Sequence, residues 1–432
     1  MANTSSNTIS LKALVNNVMN KIIYIEADND FVDVLFSFLT IPVGTIIMLS
    51  NRHSFPLGIG CLKKLYESVE SSDSQLFQSE ECRAMFLCLR NGAESLLKNL
   101  KLKIDSHETN VSVSDGQDGG SFVKGLATFI VSDDLKVLPP LTTASYSLIT
   151  KLGFNGWNTI EELTFNVGTE QVLNLLLCSL VSKTPLTDIL LKHKPLSDFR
   201  PEIGKYMEHG NAGRTVNDDL NICINLVVSK SKNIVCYAEA GEDFVTLLSS
   251  FLHFPLGFIL KELPSSFYKG CVNHVYKSAQ DLDDWYFKSN YHRETLMNPK
   301  LFPEFGYEQK RPCTLATDRT HVLANRLWNS VKITDSKSHN NDDRRTCGFL
   351  EEPAMFLITD SLIVSPISPI LSMSKLCELC VPITDIEVKV TKVRRDEALS
   401  LFMASFVCQS ALTSVFMRNS TIDKSASQAS RR

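Results

Sequence analysis

The sequence contains one long pattern twice, and this internal repeat constrains the fold more than any other feature. Residues Asn20–Gly44 read NKIIYIEADNDFVDVLFSFLTIPVG, and residues Asn233–Gly257 read NIVCYAEAGEDFVTLLSSFLHFPLG. Further along, a block that starts at Phe122 matches a block that starts at Phe349. Because each copy of such a pattern encodes one supersecondary arrangement, the chain is best interpreted as two homologous halves.

The repeat sets the predicted domain boundaries. We predict a first repeat domain at residues 1–195, a linker at 196–217, a second repeat domain at 218–417 and a disordered tail at 418–432. The linker and the tail are polar and lack apolar periodicity, which is typical of connecting and unstructured segments.

Each half mixes hairpin patterns with helical patterns. Leu11–Val15 and Ile22–Ala27 are apolar, β-branched runs on either side of a polar turn, which predicts a β-hairpin. Asp28 or Asn29 then caps a helix. We therefore predict the α+β class, with two homologous repeats that each contain a mixed or antiparallel sheet with β-hairpins, packed by helices. The first helix presents its apolar residues at helical spacing: Phe31, Val34, Leu35, Phe38 and Leu39.

An ordered series of motifs resembles a known family. The series comprises Ile25–Gly44, Gly60-Cys61, Phe122–Pro139 and Phe349–Pro366, and it extends over nearly the whole chain. These motifs are similar to the plant family catalogued as domain of unknown function 674. The resemblance implies no established biochemical function. It also implies a cysteine-rich insert resembling a zinc ribbon, but residues 105–120 contain no cysteine, so we predict no metal there.

Charge and cysteine usage narrow the class of protein. The chain has 44 Lys+Arg against 48 Asp+Glu, so its surface is not basic enough overall to predict nucleic-acid binding. The 12 cysteines are scattered, and the first ten residues lack the features of a secretory signal peptide. We expect a cytoplasmic or nuclear protein without a signal peptide. The uncharged run Val34–Asn51 is interrupted by Pro42 and Gly44, which predicts neither a transmembrane helix nor a membrane partner.

Motifs for cofactors and metals are incomplete in the sequence. It contains no full phosphate-binding loop, nucleophile elbow or zinc-protease motif. Cys377 and Cys380 form the only CxxC pair, whereas a structural zinc ion needs four ligands. We therefore predict no cofactor and no metal site.

Acidic and thiol residues recur at matched places in the two halves. Carboxylates at a strand end and a helix start suit acid-base chemistry, and a thiol at a helix start suits a lowered pKa. The same residues equally suit helix capping, a solvated rim or packing under a glycine turn. Asp133 and Asp360 lie in hairpin turns, where we predict that each carboxylate binds its own turn backbone. A pocket at the interface between the halves would bring together Glu26, Asp30, Cys61, Glu239, Asp243 and Cys271.

The second half carries an aromatic segment among acidic residues. Large aromatic side chains set among charges are typical of binding hot spots, although such rings also cover helices or close domain interfaces. We therefore consider one set of four residues as a candidate partner surface: Trp285, Tyr286, Phe287 and Tyr291.

Two function classes remain open on the sequence alone. The first is a non-catalytic binding or scaffold protein whose repeated domains present a surface to a partner, either a protein or a small molecule. The second is an enzyme or small-molecule receptor with a site between the halves, a common location for pockets. The incomplete catalytic motifs favour the first class, although unrelated folds acquire active sites without shared motifs.

Overall fold

A computed structural model describes most of the chain in both halves. The predicted tail 418–432 lies outside the described residues, as does the predicted linker beyond residue 199. The described residues are 8–73, 76, 77, 83, 86, 87, 89, 91–104, 120–125, 127–151, 159–199, 222–263, 270–299, 314–317, 331–334, 350 and 355–417.

The first half builds one antiparallel sheet of five strands. The strands lie in the order β4-β3-β2-β1-β5, so β4 and β5 form the two edges. Buried and exposed residues alternate along most of β1, as expected for a sheet that packs one face on a core. The strands are β1 (Ile9–Asn16), β2 (Lys21–Asp28), β3 (Thr128–Ser132), β4 (Val137–Leu138) and β5 (Ile160–Val167).

The second half builds a second antiparallel sheet with the same topology. In chain order its part of the molecule contains β6 (Ile222–Ser229), β7 (Ile234–Gly241), β8 (Thr314–Thr317), β9 (Val331–Thr334), β10 (Met355–Thr359), β11 (Val364–Pro366) and β12 (Ile386–Val393). The sheet order is β11-β10-β7-β6-β12, and β8 pairs separately with β9.

The two five-stranded sheets also share an irregularity. Each has a register shift in its central hairpin, after Leu14 in one sheet and after Val227 in the other. These two residues correspond in the repeat. The predicted α+β class with two homologous sheets is confirmed, and both sheets are antiparallel.

Helices pack on the faces of the sheets and connect the strands. Asp28 caps the first of them, because its Oδ1 accepts a hydrogen bond from the Phe31 amide at 3.0 Å, as the sequence predicted. The helices are α1 (Asn29–Ser37), α2 (Val43–Arg52), α3 (Leu62–Ser71), α4 (Thr142–Lys151), α5 (Thr169–Ser179), α6 (Glu242–Ser250), α7 (Leu256–Glu262), α8 (Val272–Asp281), α9 (Asn290–Met297), α10 (Pro369–Glu378), α11 (Arg395–Val407) and α12 (Ala411–Phe416).

The chain divides into two compact units that do not coincide with its two sequence halves. Unit 1 comprises Met1–Gly58, Arg90–Glu202 and Pro255–Phe302. Unit 2 comprises Ile59–Leu89, Ile203–Phe254 and Pro303–Arg432. Each unit therefore contains the sheet of one half together with a segment from the other half. We call 59–89 and 255–302 the exchanged segments; the repeat boundaries stay a prediction.

In unit 1, hydrogen bonds attach the exchanged segment 255–302 to the first sheet and its helices. The Val137 amide of β4 donates to Ser278 Oγ at 2.9 Å, and the Cys271 amide donates to the Ser179 carbonyl at 2.8 Å. Ser278 Oγ in turn donates to the His274 carbonyl at 2.7 Å. Helix α8 thus completes the hydrogen bonding of edge strand β4.

Unit 2 repeats the same attachment with the exchanged segment 59–89. The Val364 amide of β11 donates to Ser68 Oγ at 3.1 Å, and the Cys61 amide donates to the Ser405 carbonyl at 2.7 Å. Gly60, with a φ of 53°, lies so close to α11 that an added Cβ would collide with the Ser405 carbonyl and meet Cys408 O at 2.7 Å. Only glycine fits this approach without displacing the backbone of α11.

Candidate binding surface

One face of the unit 2 sheet carries a helix that covers only part of it. Directly paired residues of antiparallel strands share a face, and Val388 pairs with Val227, which pairs with Tyr237. Leu376 of α10 packs in a buried cluster with Val227, Tyr237 and Leu357. Helix α10 therefore lies over the centre of this face and leaves its margins open.

Exposed apolar side chains occupy the open parts of this face and the outer side of α10. Val390 is 75% exposed and Val388 is 60% exposed on β12, while Ile370 is 83% exposed on α10. Several exposed apolar side chains on one sheet face and its helix favour an interaction site there. We call this set the unit 2 apolar surface: Met355, Ile367, Ile370, Met373, Val388 and Val390.

Unit 1 has the same architecture, but its edge strand is polar at two positions where that of unit 2 is apolar. Edge strands β5 and β12 have the same pattern of exposure, residue by residue. At the positions of Val388 and Val390, however, unit 1 has Glu162 and Thr164. Lys12 of β1 lies 3.9 Å from the Glu162 carboxylate, as on an ordinary solvated face. The exposed valines are therefore not dictated by the fold.

The unit 2 apolar surface was not predicted from the sequence, although the two repeats differ at its positions. The sequence of β12 alone, with apolar and polar residues in alternation, is typical of an ordinary edge strand. A position-by-position comparison of the two repeats would have marked the replacement of Glu162 by Val388 at equally exposed positions.

The predicted aromatic surface is only partly exposed. Trp285 and Tyr291 are 61% and 53% exposed, whereas Tyr286 and Phe287 are 8% and 1% exposed. Trp285 packs on the buried Tyr286 ring with centroids 4.2 Å apart, within the short 3₁₀ turn Asp284–Tyr286. Two of the four predicted residues thus belong to the core of unit 1; partner binding by the segment stays a prediction.

The buried rings of Tyr286 and Phe287 pack against aromatic side chains in the core of unit 1. Phe287 stacks on Phe36 with ring centroids 6.1 Å apart, and Tyr286 packs on Phe129 with centroids 5.4 Å apart. In unit 2 the repeat places Ser249 where unit 1 has Phe36. A narrow apolar cleft remains beside Ser249, lined among others by Phe77, Phe86, Val245, Leu350 and Phe356.

The six residues of the predicted pocket divide equally between the units. Glu26 is exposed on β2, and Asp30 lies in the first turn of α1 with Lys101 Nζ 3.2 Å away. Glu239 is half-buried on β7, and Asp243 lies in the first turn of α6. The prediction that these carboxylates line one pocket with the two cysteines stays a prediction.

The two cysteines at helix starts pack as buried thiols. Cys61 is fully buried, and its Sγ donates to the Cys408 carbonyl at 3.0 Å. Burial raises the pKa of the Cys61 thiol, and it raises that of Cys271 well above its ordinary value. Such thiols remain protonated and are poor nucleophiles. The structure thus favours packing under a glycine turn over thiolate chemistry.

The hairpin aspartates bind distant partners, and the prediction that they satisfy their own turns was wrong. The Thr187 amide and hydroxyl donate to Asp133 at 2.9 and 2.8 Å. In unit 2 the Thr413 amide and hydroxyl both donate to Asp360 at 2.7 Å. Burial raises the pKa of both aspartates to about 6. Each carboxylate anchors a terminal helical turn to the sheet.

Asp33 is a third buried carboxylate, and it occurs only in unit 1. The corresponding residue of unit 2 is Thr246. It accepts backbone hydrogen bonds from Ser121, from Phe122 at 2.8 Å and from Val123 at 2.9 Å. Burial raises its pKa to about 6, against the effect of these three donors. The carboxylate holds the segment that leads into β3.

The described residues offer neither a metal-ligating cluster nor a membrane-spanning helix. Among the described residues, His, Cys, Asp and Glu side chains form no group of three suited to hold a metal ion. Cys377 and Cys380 are exposed near the end of α10. Within the same part of the chain, each helix is too short or too polar to span a bilayer.

Comparisons with known proteins give a family and no activity. A family model described as a protein of unknown function (DUF674) matches residues 5–111 and 106–396. No curated protein and no solved structure matches the chain.

Proposed function

Because the chain belongs to the DUF674 family, whose description assigns no function, we propose from the structure that it is a non-catalytic binding or scaffold protein. In this proposal, unit 2 holds a partner protein with apolar side chains on the unit 2 apolar surface. Unit 1 provides a similar scaffold whose edge strand β5 is more polar at the positions of Val388 and Val390.

One observation carries the proposal: of the six positions in the unit 2 apolar surface, four hold a threonine or glutamate in unit 1. The six members of the unit 2 apolar surface correspond in the repeat to Thr128, Pro140, Thr143, Tyr146, Glu162 and Thr164. Exposed apolar side chains do not stabilise a fold, because they gain little from burial. The replacement of these four polar residues by exposed apolar residues in unit 2 is explained if a partner covers them.

The proposed location is the cytosol or the nucleus. The eight described cysteines are free, and Cys223, Cys377 and Cys380 are exposed as thiols. Exposed free thiols persist in reducing compartments, which supports this part of the proposal.

The test compares charged substitutions at matched positions. Ile370→Glu with Met373→Glu places two charges on the outer side of α10, and Thr143→Glu with Tyr146→Glu does the same on α4. Proteins captured by wild type from an extract of the source organism are identified, purified and titrated against each variant.

We expect a captured partner to bind wild type and the α4 variant alike, and the α10 variant at least about tenfold more weakly, since each tenfold step corresponds to roughly 1.4 kcal/mol. Equal binding by the α10 variant would contradict the proposal. Matching circular dichroism and melting temperatures of the two variants control for misfolding.

A further inference from the structure

We propose that the β12 part of the unit 2 apolar surface binds a second copy of the same chain, edge to edge, around a two-fold axis at Val388. The proposal rests on the proposed function, because it assigns an occupant to part of that surface. It joins two five-stranded sheets through antiparallel pairing of β12 with β12.

Among the described residues, β12 is an edge strand, and the backbone groups on its open side belong to apolar residues. The Lys230 amide donates to the Asp385 carbonyl at 3.0 Å, which makes these two residues a hydrogen-bonded pair in the β6–β12 register. Hydrogen-bonded and non-hydrogen-bonded pairs alternate in an antiparallel ladder. The amides and carbonyls of Ile386, Val388 and Val390 therefore point away from β6, towards the open edge.

A two-fold axis at Val388 uses all of these outward groups. Val388 then pairs with Val388 of the second copy, and Ile386 pairs with Val390 on both sides of the axis. These three hydrogen-bonded pairs supply about six backbone hydrogen bonds. The side chains of all three residues lie on the face that carries α10, so the apolar margins of the two copies become continuous.

The charges on β12 select this register. With the axis at Val388, Glu387 of each copy lies opposite Lys389 of the other, in the closely spaced pairs that bring side chains together. Axes at Glu387 or at Lys389 would instead place like charges opposite each other, which is destabilising. The two side chains already lie 3.5 Å apart within one chain, so the pairing extends an existing ion pair to a group of four charges.

The corresponding edge of unit 1 lacks this self-complementarity. The Asn17 amide donates to the Thr159 carbonyl at 3.0 Å, which by the same alternation directs Glu162 and Thr164 to the open edge of β5. An axis at Glu162 would place two carboxylates opposite each other. Acidic side chains of this kind protect a sheet edge from pairing. Only one of the two long edges favours self-pairing, so the assembly closes at a dimer.

The first experiment measures the mass of the full chain in solution. Sedimentation velocity and light scattering across micromolar concentrations should show a dimer for wild type. Val388→Glu with Val390→Thr gives β12 the residues of β5, which the fold already accommodates at the matched positions, and should yield a monomer. A wild type that stays monomeric at every concentration, or a dimer that this variant leaves unchanged, would overturn the proposal.

The second experiment tests the register by charge reversal. Glu387→Lys alone and Lys389→Glu alone each place like charges across the axis and should weaken the dimer about tenfold. The combined variant should recover dimerisation. If the two single variants dimerise as wild type does, or if the combined variant is as weak as either, the pairing at Val388 is wrong.

The outcomes separate this proposal from the proposed function. Ile370→Glu with Met373→Glu should lose the partner protein and keep the dimer, because these side chains lie on α10 and not on the edge. A monomeric wild type that still binds its partner through α10 would refute the dimer and leave the proposed function standing. Glu162→Val with Thr164→Val should add a second adhesive edge and produce species larger than a dimer; a dimer of unchanged mass would count against the edge mechanism.

Discussion

Separating the two sequence halves should unfold both, because each unit needs a segment from the other half. The perturbation is to produce residues 1–217 and 218–432 as two independent chains. The first chain then lacks 255–302, which belongs to unit 1, and the second lacks 59–89, which belongs to unit 2. Neither chain contains all the segments of a compact unit.

The size of the effect follows from the side chains that the first chain would lose. Val275, Leu282, Phe287 and Leu296 are each at most 3% exposed. Burial of one large apolar side chain contributes about 1.5–3 kcal/mol, so these four contribute about 6–12 kcal/mol. The Val137 amide would also lose its bond to Ser278, at a cost of about 1–3 kcal/mol for a buried donor. Whole domains are stable by only about 5–15 kcal/mol.

The assay is fragment complementation. Each chain alone should lack a cooperative thermal transition, whereas co-expression with a tag on one chain should recover both chains in one complex. The melting temperature of that complex should approach that of the intact protein. A control with a protease site between the halves, cut after folding, should remain assembled.

A specific result would refute this reasoning. If residues 1–217 form a monomer that unfolds cooperatively and shows dispersed amide resonances, then the exchanged segment 255–302 is not required for unit 1. The side chains named above would then contribute far less to stability than their burial indicates.

Three further predictions concern single sites. Gly60→Ala should destabilise the protein by about 1–3 kcal/mol through overpacking against α11, whereas Gly241→Ala, with open space at its Cβ, should change the melting temperature little. Between about pH 4 and pH 7 the unfolding free energy of wild type should fall relative to that of Asp33→Asn by up to about 3 kcal/mol. The reason is that the folded-state pKa of Asp33 is raised from 3.8 to about 6, so the stability it contributes is present below pH 4 and is lost as the pH rises through 6. A difference that is flat, or that grows with pH, would contradict this prediction. Tyr286→Ala should cost about 3–5 kcal/mol in chemical denaturation while Trp285→Ala costs less, and equal effects would contradict the assignment of Tyr286 alone to the core of unit 1.

Local structure could be predicted from the sequence because it depends on neighbouring residues. The hairpin of Leu11–Val15 with Ile22–Ala27 and the cap at Asp28 both follow from short-range pattern and backbone chemistry. The duplication then predicted that the second half would repeat the first, and the two sheets do share one strand order.

Contacts between residues that are distant in the sequence could not be predicted from local patterns. Helix α3 has the same apolar face whether it packs on its own sheet or on that of the other half, so periodicity does not encode the exchange. The bond from Thr187 to Asp133 spans 54 residues, and a turn pattern contains no information about so distant a partner. Trp285 and Tyr286 are adjacent aromatic residues, and their sequence pattern does not show that one is 61% exposed and the other 8%.

The exchanged segments also determine when the protein can fold during its own synthesis. Unit 1 begins at the N-terminus but ends at residue 302, so its core cannot close until the ribosome has translated well into the second half. At roughly 5–20 residues per second, the interval between residues 58 and 302 takes on the order of 10–50 seconds. During that interval the side chains that later contact the exchanged segment 255–302, including Phe36, remain exposed on the nascent chain. A circular permutant that begins at residue 255 would deliver this segment first and should depend less on chaperones that bind nascent apolar segments.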